Sequence, residues 1–148
     1  MTRINYSLKT DPTETARSGA RNLRISHKDS IEISNYIKSK PVKKVKNILK
    51  DTINLKGVIP FKKYTSDVSH KKGVGVGRYP VNAAKEILKL VENAENNAEL
   101  KGFDVEKLII KHIEANKGGS RFYRGRRGFG SRKAKSTNIS IIVGEKKW

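Results

Sequence analysis

The chain contains no cysteine in its 148 residues, so it can form neither disulfide bonds nor thiolate metal sites. It also has no apolar run that approaches the roughly 20 residues needed to span a bilayer. The N-terminal stretch MTRINYSLKTDPTETARSGAR lacks the apolar core of a secretory signal. The lack of a spanning run and of a secretory signal, and not the lack of cysteine, leads us to expect a soluble intracellular protein with no membrane partner.

Acidic residues are scarce, because 14 Asp and Glu stand against 33 Lys and Arg and leave a formal net charge of +19. Such an excess is costly in self-repulsion unless a polyanion neutralises it. Nucleic acid is the usual polyanion, and an anionic membrane surface is the alternative. The membrane is the weaker candidate, because Gly and Pro interrupt the basic stretches and these lack a wide apolar face.

The residue constellations of a catalytic or metal site are missing as well. The three histidines, His27, His70 and His112, are far apart in the sequence and have no carboxylates at ligand spacing. No Ser-His-Asp set can be identified. We therefore expect no metal, no cofactor and no enzymatic activity.

A glycine-rich segment, GVGVGR at 73–78, invites the alternative of a nucleotide-dependent RNA enzyme. No β-prone run precedes it and no Lys-Ser/Thr follows it, so it does not match a phosphate-binding loop. We interpret it as a flexible loop that places Lys71, Lys72 and Arg78 near phosphates.

Apolar periodicity predicts the secondary structure of the N-terminal two thirds. We expect an extended N-terminal arm at 1–20 and a short strand at 21–26. Gly57 and Gly102 are expected to take the left-handed position that ends a helix. The three predicted helices lie at about 27–38, from Pro41 to about 53, and at about 80–100.

Two segments rich in Ile, at 105–115 and 138–145, predict strands that frame a long hairpin. Each arm would have about 15–20 residues, and at a rise of about 3.3 Å per residue it would reach roughly 50–60 Å. The radius of gyration of such a domain is only about 15 Å, so the tip would project beyond the core. The expected fold is α+β, with three helices packed on a small antiparallel sheet and a long protruding β-hairpin. It forms a single domain at 21–148 that includes the hairpin extension at about 105–145.

The loop of this hairpin is the most basic segment of the chain, and it contains no acid. Guanidinium groups pair bidentately with phosphates, aromatic rings stack on unpaired bases, and glycines allow close approach of the backbone. A disordered basic tail is the alternative, but the position between two strands argues against it. The candidate RNA contacts in this segment are Lys117, Arg121, Phe122, Tyr123, Arg124, Arg126, Arg127, Phe129, Arg132, Lys133 and Lys135.

The second predicted helix carries further lysines beside its apolar stripe. Lys43, Lys44 and Lys46 lie off that stripe, so they are candidates for phosphate contact or belong to an ordinary solvated face. The third helix carries four of the chain's 14 acidic residues on its outer face, which we expect to face solvent rather than a polyanion. Those acids are Glu86, Glu92, Glu95 and Glu99.

Four segments resemble one family, the universal large-subunit ribosomal protein numbered twenty-two in bacteria and seventeen in eukaryotes. They are NLRIS at 22–26, ILKDTINLKGVIPFKKY at 48–64, GRYPVNAAKEIL at 77–88 and NAENNAELKGFDVEKLIIKHIEANKG at 93–118. The long segment at 55–79 resembles the eukaryotic and archaeal branch. The resemblance covers about residues 18–145.

The resemblance implies a structural component of the cytoplasmic ribosome, with a core beside the polypeptide exit and a hairpin that runs inward to the exit tunnel. The implied partners are large-subunit ribosomal RNA, neighbouring ribosomal proteins and the nascent polypeptide. The alternative is a free nucleic-acid-binding protein, such as an assembly or chromatin factor. The long hairpin argues against it, because free binders more often use a compact surface.

Overall fold

A computed structural model describes residues 6–125 and 130–145, and it confirms the predicted α+β class. In chain order the elements are β1 (Ala16–Leu23), α1 (His27–Ile37), α2 (Val42–Ile53), β2 (Ile59–Pro60), β3 (His70–Lys71), β4 (Gly75–Arg78), α3 (Val81–Glu99), a 3₁₀ turn (Val105–Lys107), β5 (Leu108–Lys117), β6 (Arg121–Arg124), β7 (Ser131–Ala134) and β8 (Thr137–Glu145). The main sheet is antiparallel, with strand order β1-β8-β5, and the helices pack on one face of it. A smaller sheet has the order β2-β4-β3, and β6 pairs with β7 in a two-stranded ribbon.

The three helices form where periodicity and capping residues predict them. The Ser26 side chain accepts a hydrogen bond from the Asp29 N–H and caps α1. Helix α2 buries every third or fourth residue, and α3 buries an alanine-rich stripe that allows neighbouring elements to approach closely. The three helices are therefore confirmed to within one or two residues at each end.

The ends of α2 and α3 differ in how the chain turns away. Gly102 has a φ of +80°, as predicted for the left-handed position after α3. After α2 that conformation falls on Leu55, with a φ of +59°, and not on Gly57. Gly57 is needed for a different reason, because a Cβ there would lie 3.0 Å from the Cβ of Asp51.

A β-bulge in β5 brings the apolar residues of this strand to one face. The register of β5 against β8 shifts between Ile110 and His112. Leu108 and Ile110 precede the bulge and Ile113 follows it, and all three belong to the core under the helices. One extra residue changes the phase of the alternation, so a sequence without strict period-two spacing still buries a continuous apolar face.

Strand β1 begins at Ala16, whereas the sequence predicts an extended arm to residue 20 and a strand from residue 21. The last five residues of the expected arm therefore belong to the sheet. Ala16 and Ser18 are buried there. Small side chains give no apolar signal in the sequence, but they fit a strand on which α3 packs closely.

The preceding residues lie across the second face of the main sheet. Ser7 donates a hydrogen bond to the Glu114 carboxylate on β5, and Arg17 donates to the backbone oxygen of Thr10. Ile142 is fully buried although it is not part of the core under the helices. The described part of the expected arm is therefore folded back onto the sheet.

The segment 58–79, which the sequence leaves irregular, contains the small sheet. Ile59 pairs with Arg78, and His70 pairs with Val76, so GVGVGR supplies the central strand. The turn between β3 and β4 has positive φ angles at Gly73 and Gly75. The prediction of a flexible loop is corrected to a tight hairpin, because glycines that look like loop residues satisfy its turn geometry.

Candidate nucleic-acid interface

The basic segment forms a two-stranded ribbon at the far end of the long hairpin. Arg121 pairs with Ala134, Phe122 with Lys133, Tyr123 with Arg132, and Arg124 with Ser131. Cross-strand partners share a face, and alternate residues on one strand share it too. One face therefore carries Phe122, Arg124 and Lys133, and the other carries Arg121, Tyr123 and Arg132.

Both faces of the ribbon point away from any protein core. Phe122 is 65% exposed and Tyr123 is 54% exposed. The Lys133 ammonium lies 5.3 Å from the centre of the Phe122 ring, so a cation and an aromatic ring form one contact surface on that face. Each face of the ribbon carries one aromatic residue and two cations. Both faces can therefore bind anionic groups and stack against flat rings at the same time.

Three of the residues predicted to bind RNA, Arg126, Arg127 and Phe129, lie outside the described residues. The two strands that lead to them remain paired up to this point, since the Gly125 N–H donates to the Gly130 carbonyl over 2.9 Å.

The ribbon joins the main sheet at a narrow root. The Gly118 N–H donates to the Ser136 carbonyl over 2.9 Å, and the Ser136 hydroxyl donates to the Gly119 carbonyl. A Cβ on Gly118 would overlap the Ser136 hydroxyl and lie 3.2 Å from its carbonyl carbon. Gly118 therefore allows the two strands to approach closely where the sheet ends and the ribbon begins.

The lysines predicted on α2 separate into two groups. Lys43 and Lys44 are exposed in the first turn of the helix. Lys46 instead forms an ion pair with Glu95 of α3, and both side chains are largely covered. Glu95 was expected to face solvent, so that expectation is corrected. The charge of Lys46 is neutralised inside the protein and is not part of the exposed group.

A buried acid organises a basic segment that the sequence analysis did not identify. Glu32 on α1 is 1% exposed. Its carboxylate accepts hydrogen bonds from the backbone N–H groups of Lys62 at 3.0 Å and of Lys63 and Tyr64 at 2.7 Å. Three donors on one carboxylate fix the backbone of this segment against α1, so its exposed lysine side chains project from a rigid position.

Lys62 and Lys63 link the lysines near the start of α2 to the lysines around the Tyr64 ring. Burial lowers the pKa of Lys40, and the charges of Lys44 and Lys62 lower it further, so both of these lysines lie close enough to Lys40 to repel it. Lys63 and Lys28 both approach the Tyr64 ring, at 5.8 and 5.4 Å from its centre.

We call these lysines, together with Lys117 at the end of β5, the root surface. Within the described part of the chain none of them forms an ion pair. Its members are Lys28, Lys40, Lys44, Lys62, Lys63 and Lys117.

A cleft of about 220 Å³ opens where the root surface meets the ribbon. His27 and Tyr64 line it, and burial followed by the charges of Lys117 and Lys63 lowers the pKa of His27. An imidazole with a lowered pKa is neutral at neutral pH. Neither residue was predicted from the sequence to bind RNA, because neither stands in a basic run with glycines. The cations that line the cleft are Lys28, Lys117, Lys133 and Lys135.

The remaining predicted contacts lie on the small sheet. Lys72 and Arg78 are exposed, and the Arg78 guanidinium donates to the Asp67 carbonyl over 2.9 Å. The Lys71 ammonium lies 5.8 Å from the centre of the Tyr79 ring. The structure therefore places these three cations together on one hairpin, apart from the ribbon.

Residues 6–125 and 130–145 contain no group of three or more His, Asp or Glu side chains arranged to hold a metal ion. Within the same ranges, no helix combines the length and hydropathy that crossing a bilayer would require.

Comparison with known proteins gives a match over most of the chain. The profile of a family described as ribosomal protein L22p/L17e matches residues 18–144. The large ribosomal subunit protein uL22 of Methanococcus aeolicus is 42% identical over 98% of this chain and 99% of its own length. The protein of that name from Methanoculleus marisnigri is also 42% identical, over 98% and 99%. The one from Thermoplasma acidophilum is 45% identical, over 76% and 74%.

Proposed function

The chain belongs to the ribosomal protein L22p/L17e family, and from this premise we propose that it binds ribosomal RNA as a structural constituent of the large ribosomal subunit. Two relatives that this chain matches over nearly their whole length are named as large ribosomal subunit proteins. The proposed role is that of an architectural component of a cytoplasmic ribosome, and it includes no enzymatic step.

The observation that carries the proposal is the two-sided ribbon. A ribbon that served a protein core would have one apolar face, but here cations and aromatic rings occupy both faces. The ribbon from Gly118 to Gly125 spans eight residues, which corresponds to about 26 Å beyond the main sheet. Such an arm suits insertion between segments of folded RNA, where both faces meet phosphates and unpaired bases.

The root surface supplies a second zone of contact. Its lysines extend from α1, the start of α2 and the connection before it, the segment at 62–64 and β5, and the Glu32 carboxylate fixes the backbone of the segment at 62–64. Helix α3 contributes no lysine to the root surface, and two of its acids are neutralised within the protein, Glu86 by Lys89 and Glu95 by Lys46. This separation of charge favours one orientation on the RNA, with the arm and root toward it.

The proposal includes the finer role implied by the family resemblance, in which the tip of the arm reaches the exit tunnel and contacts the nascent polypeptide. Support for it comes from the resemblance and from the projection of the arm. Neighbouring ribosomal proteins would contact the surfaces that the RNA leaves free.

Replacement of the ribbon tests the proposal. The pair Lys117–Thr137 closes the main sheet, so residues 118–136 can be replaced by Asn-Gly, a two-residue turn that suits a hairpin. The shortened chain should fold, and it should compete poorly with the full chain for incorporation into large subunits, with a gap that narrows as salt rises. Equal incorporation at low and high salt would contradict an RNA-organising arm.

Lysine substitutions test the root surface separately. Replacing Lys44 and Lys62, two exposed members of this surface, with Gln should reduce the salt dependence of RNA binding by about one to two units in the log–log slope. Replacing Lys85 and Lys89 removes the same charge from α3 and should change the slope less. Equal effects of the two pairs would mean that net charge alone matters. A free nucleic-acid binder would be indicated if the full chain sediments with large subunits only at low salt.

A further inference from the structure

We propose that the cleft at the root of the ribbon receives a single unpaired RNA nucleotide, with its base against His27 and Tyr64 and its phosphate on the surrounding lysines. The inference rests on the proposed function, and it adds a specific site to a surface that the proposal treats only as basic.

The size and lining of the cleft define the ligand. At about 220 Å³ it is smaller than the roughly 300–1,000 Å³ of pockets that take drug-sized molecules, so it suits one base with its sugar. Two flat rings line it, and the backbone of Gly118 adds a wall without a side chain. Base recognition by proteins uses such rings as stacking surfaces.

The cations surround this space from three elements. Lys28 belongs to α1, Lys117 ends β5, and Lys133 and Lys135 come from the returning strand of the arm. Among the described residues that line the cleft there is no acid to neutralise them. A phosphate next to a bound base would therefore meet several ammonium groups at once.

The state of His27 also favours a ligand. Its Nδ1 is buried and has no hydrogen-bond partner within the described part of the chain. Buried polar atoms usually have a partner, and a base edge bound in the cleft would provide one after a small rotation of the ring. Burial, and then the charges of Lys117 and Lys63, lower the pKa of His27 and favour the neutral imidazole, which presents both a donor and an acceptor.

The backbone at Tyr64, whose ring lines the cleft, is held in place by a bond that does not involve the ring. The Tyr64 N–H is held by the Glu32 carboxylate, so a change of side chain leaves that bond in place. Tyr64 also packs against the edge of the core. Leu at this position keeps apolar contact but removes the stacking surface, and Phe keeps the ring without the hydroxyl.

The test is an NMR titration of the full chain with AMP, ribose 5-phosphate and inorganic phosphate as probes. AMP should shift the ring signals of His27 and Tyr64 in a saturable way and bind more tightly than either phosphate probe. Tyr64→Leu should weaken AMP binding at least about five-fold, the lower end of what stacking of one base contributes. Tyr64→Phe should stay within about two-fold of the unmodified chain. Tyr36→Leu, on the same helix as His27 but about 13 Å along it, is the matched control and should have no effect.

Two results would overturn the inference. Equal affinity for AMP and inorganic phosphate, unaffected by Tyr64→Leu, would reduce the cleft to a phosphate site. No saturable shift at His27 or Tyr64 with AMP would remove the site altogether. Either result leaves the proposed function intact if the full chain still enters large subunits. Failure of the full chain to enter large subunits would instead overturn the proposed function.

Discussion

Replacing Glu32 with Gln should destabilise the protein and weaken RNA binding together. The carboxylate accepts three backbone N–H groups, two on Oε1 and one on Oε2. A glutamine oxygen can keep the two on Oε1, but its NH₂ group then faces the Lys62 N–H, donor against donor. The variant therefore loses one hydrogen bond and weakens two others, in a site that is 1% exposed.

The cost of Glu32→Gln follows from these three bonds. Hydrogen bonds to a charged group contribute about 1.5–3 kcal/mol each, and neutral ones about 0.5–1.5 kcal/mol. The neutral amide also has a lower desolvation cost than the carboxylate, which offsets part of the loss. We expect a net loss of about 2–4 kcal/mol in the free energy of unfolding, measured by urea titration.

A charge-matched control separates geometry from charge. Glu99→Gln removes the same negative charge from the exposed end of α3, and it should change stability by less than about 0.5 kcal/mol. Removing an acid from a basic protein should leave RNA affinity unchanged or raise it. Glu32→Gln should lower RNA affinity and speed amide exchange at residues 62–64. The reasoning is refuted if the two variants have the same stability and the same RNA affinity.

Three further predictions concern the arm and its support. Gly118→Ala should destabilise the root of the ribbon by about 1–3 kcal/mol, because the new Cβ overlaps Ser136, and the amides there should exchange faster. Gly119→Ala is the control, since a Cβ at Gly119 meets open space and should not speed exchange. Equal exchange in the two variants would contradict the close approach at Gly118. In the free chain the amides of β6 and β7 should exchange much faster than those of α3, because an isolated two-stranded ribbon is marginally stable in water; slow exchange without RNA would be the contrary result. Hydrogen bonds from Ser7 and then from Asn116 lower the pKa of Glu114. The stability that these bonds give the folded protein is therefore present above the unfolded carboxyl pKa of about 4.3, and it is lost as the pH falls through the folded pKa. Ser7→Ala should therefore cost about 0.5–1.5 kcal/mol near neutral pH in urea titrations, with the difference disappearing in acid; a difference that persists in acid would contradict it.

The helices and the long strands could be predicted because each carries a local signal. Helix α2 has apolar residues at helical spacing, and α1 begins at a Ser with an Asp three residues later. The start of β1 could not be predicted, because Ala16 and Ser18 are too small to show an alternating pattern. The small sheet was missed because its strands are two to four residues long and rich in glycine.

The candidate site was predicted in part, and the errors share one physical cause. A side chain's role depends on what the fold places opposite it, and this information is not local. Lys46 looks like its neighbours Lys43 and Lys44, but α3 places Glu95 against it. Glu32 looks like an exposed helix acid, but the loop at 62–64 covers it with three N–H donors. The position of Glu32 between Ile31 and Ile33 was the one signal in the sequence that indicated its burial.

The ribbon and the core depend on different sources of free energy. The core buries a continuous cluster of Ile, Val, Leu and Ala side chains, so it can fold without a partner. The ribbon buries no comparable surface, and its paired strands hold four cations and two aromatic rings in place against mutual repulsion. Under the proposed function, contacts with the anionic RNA would supply most of its order. The core would then direct the ribbon before contact, through the close approach of strands at Gly118 and the segment held by the Glu32 carboxylate, and the RNA would determine the ribbon's final conformation.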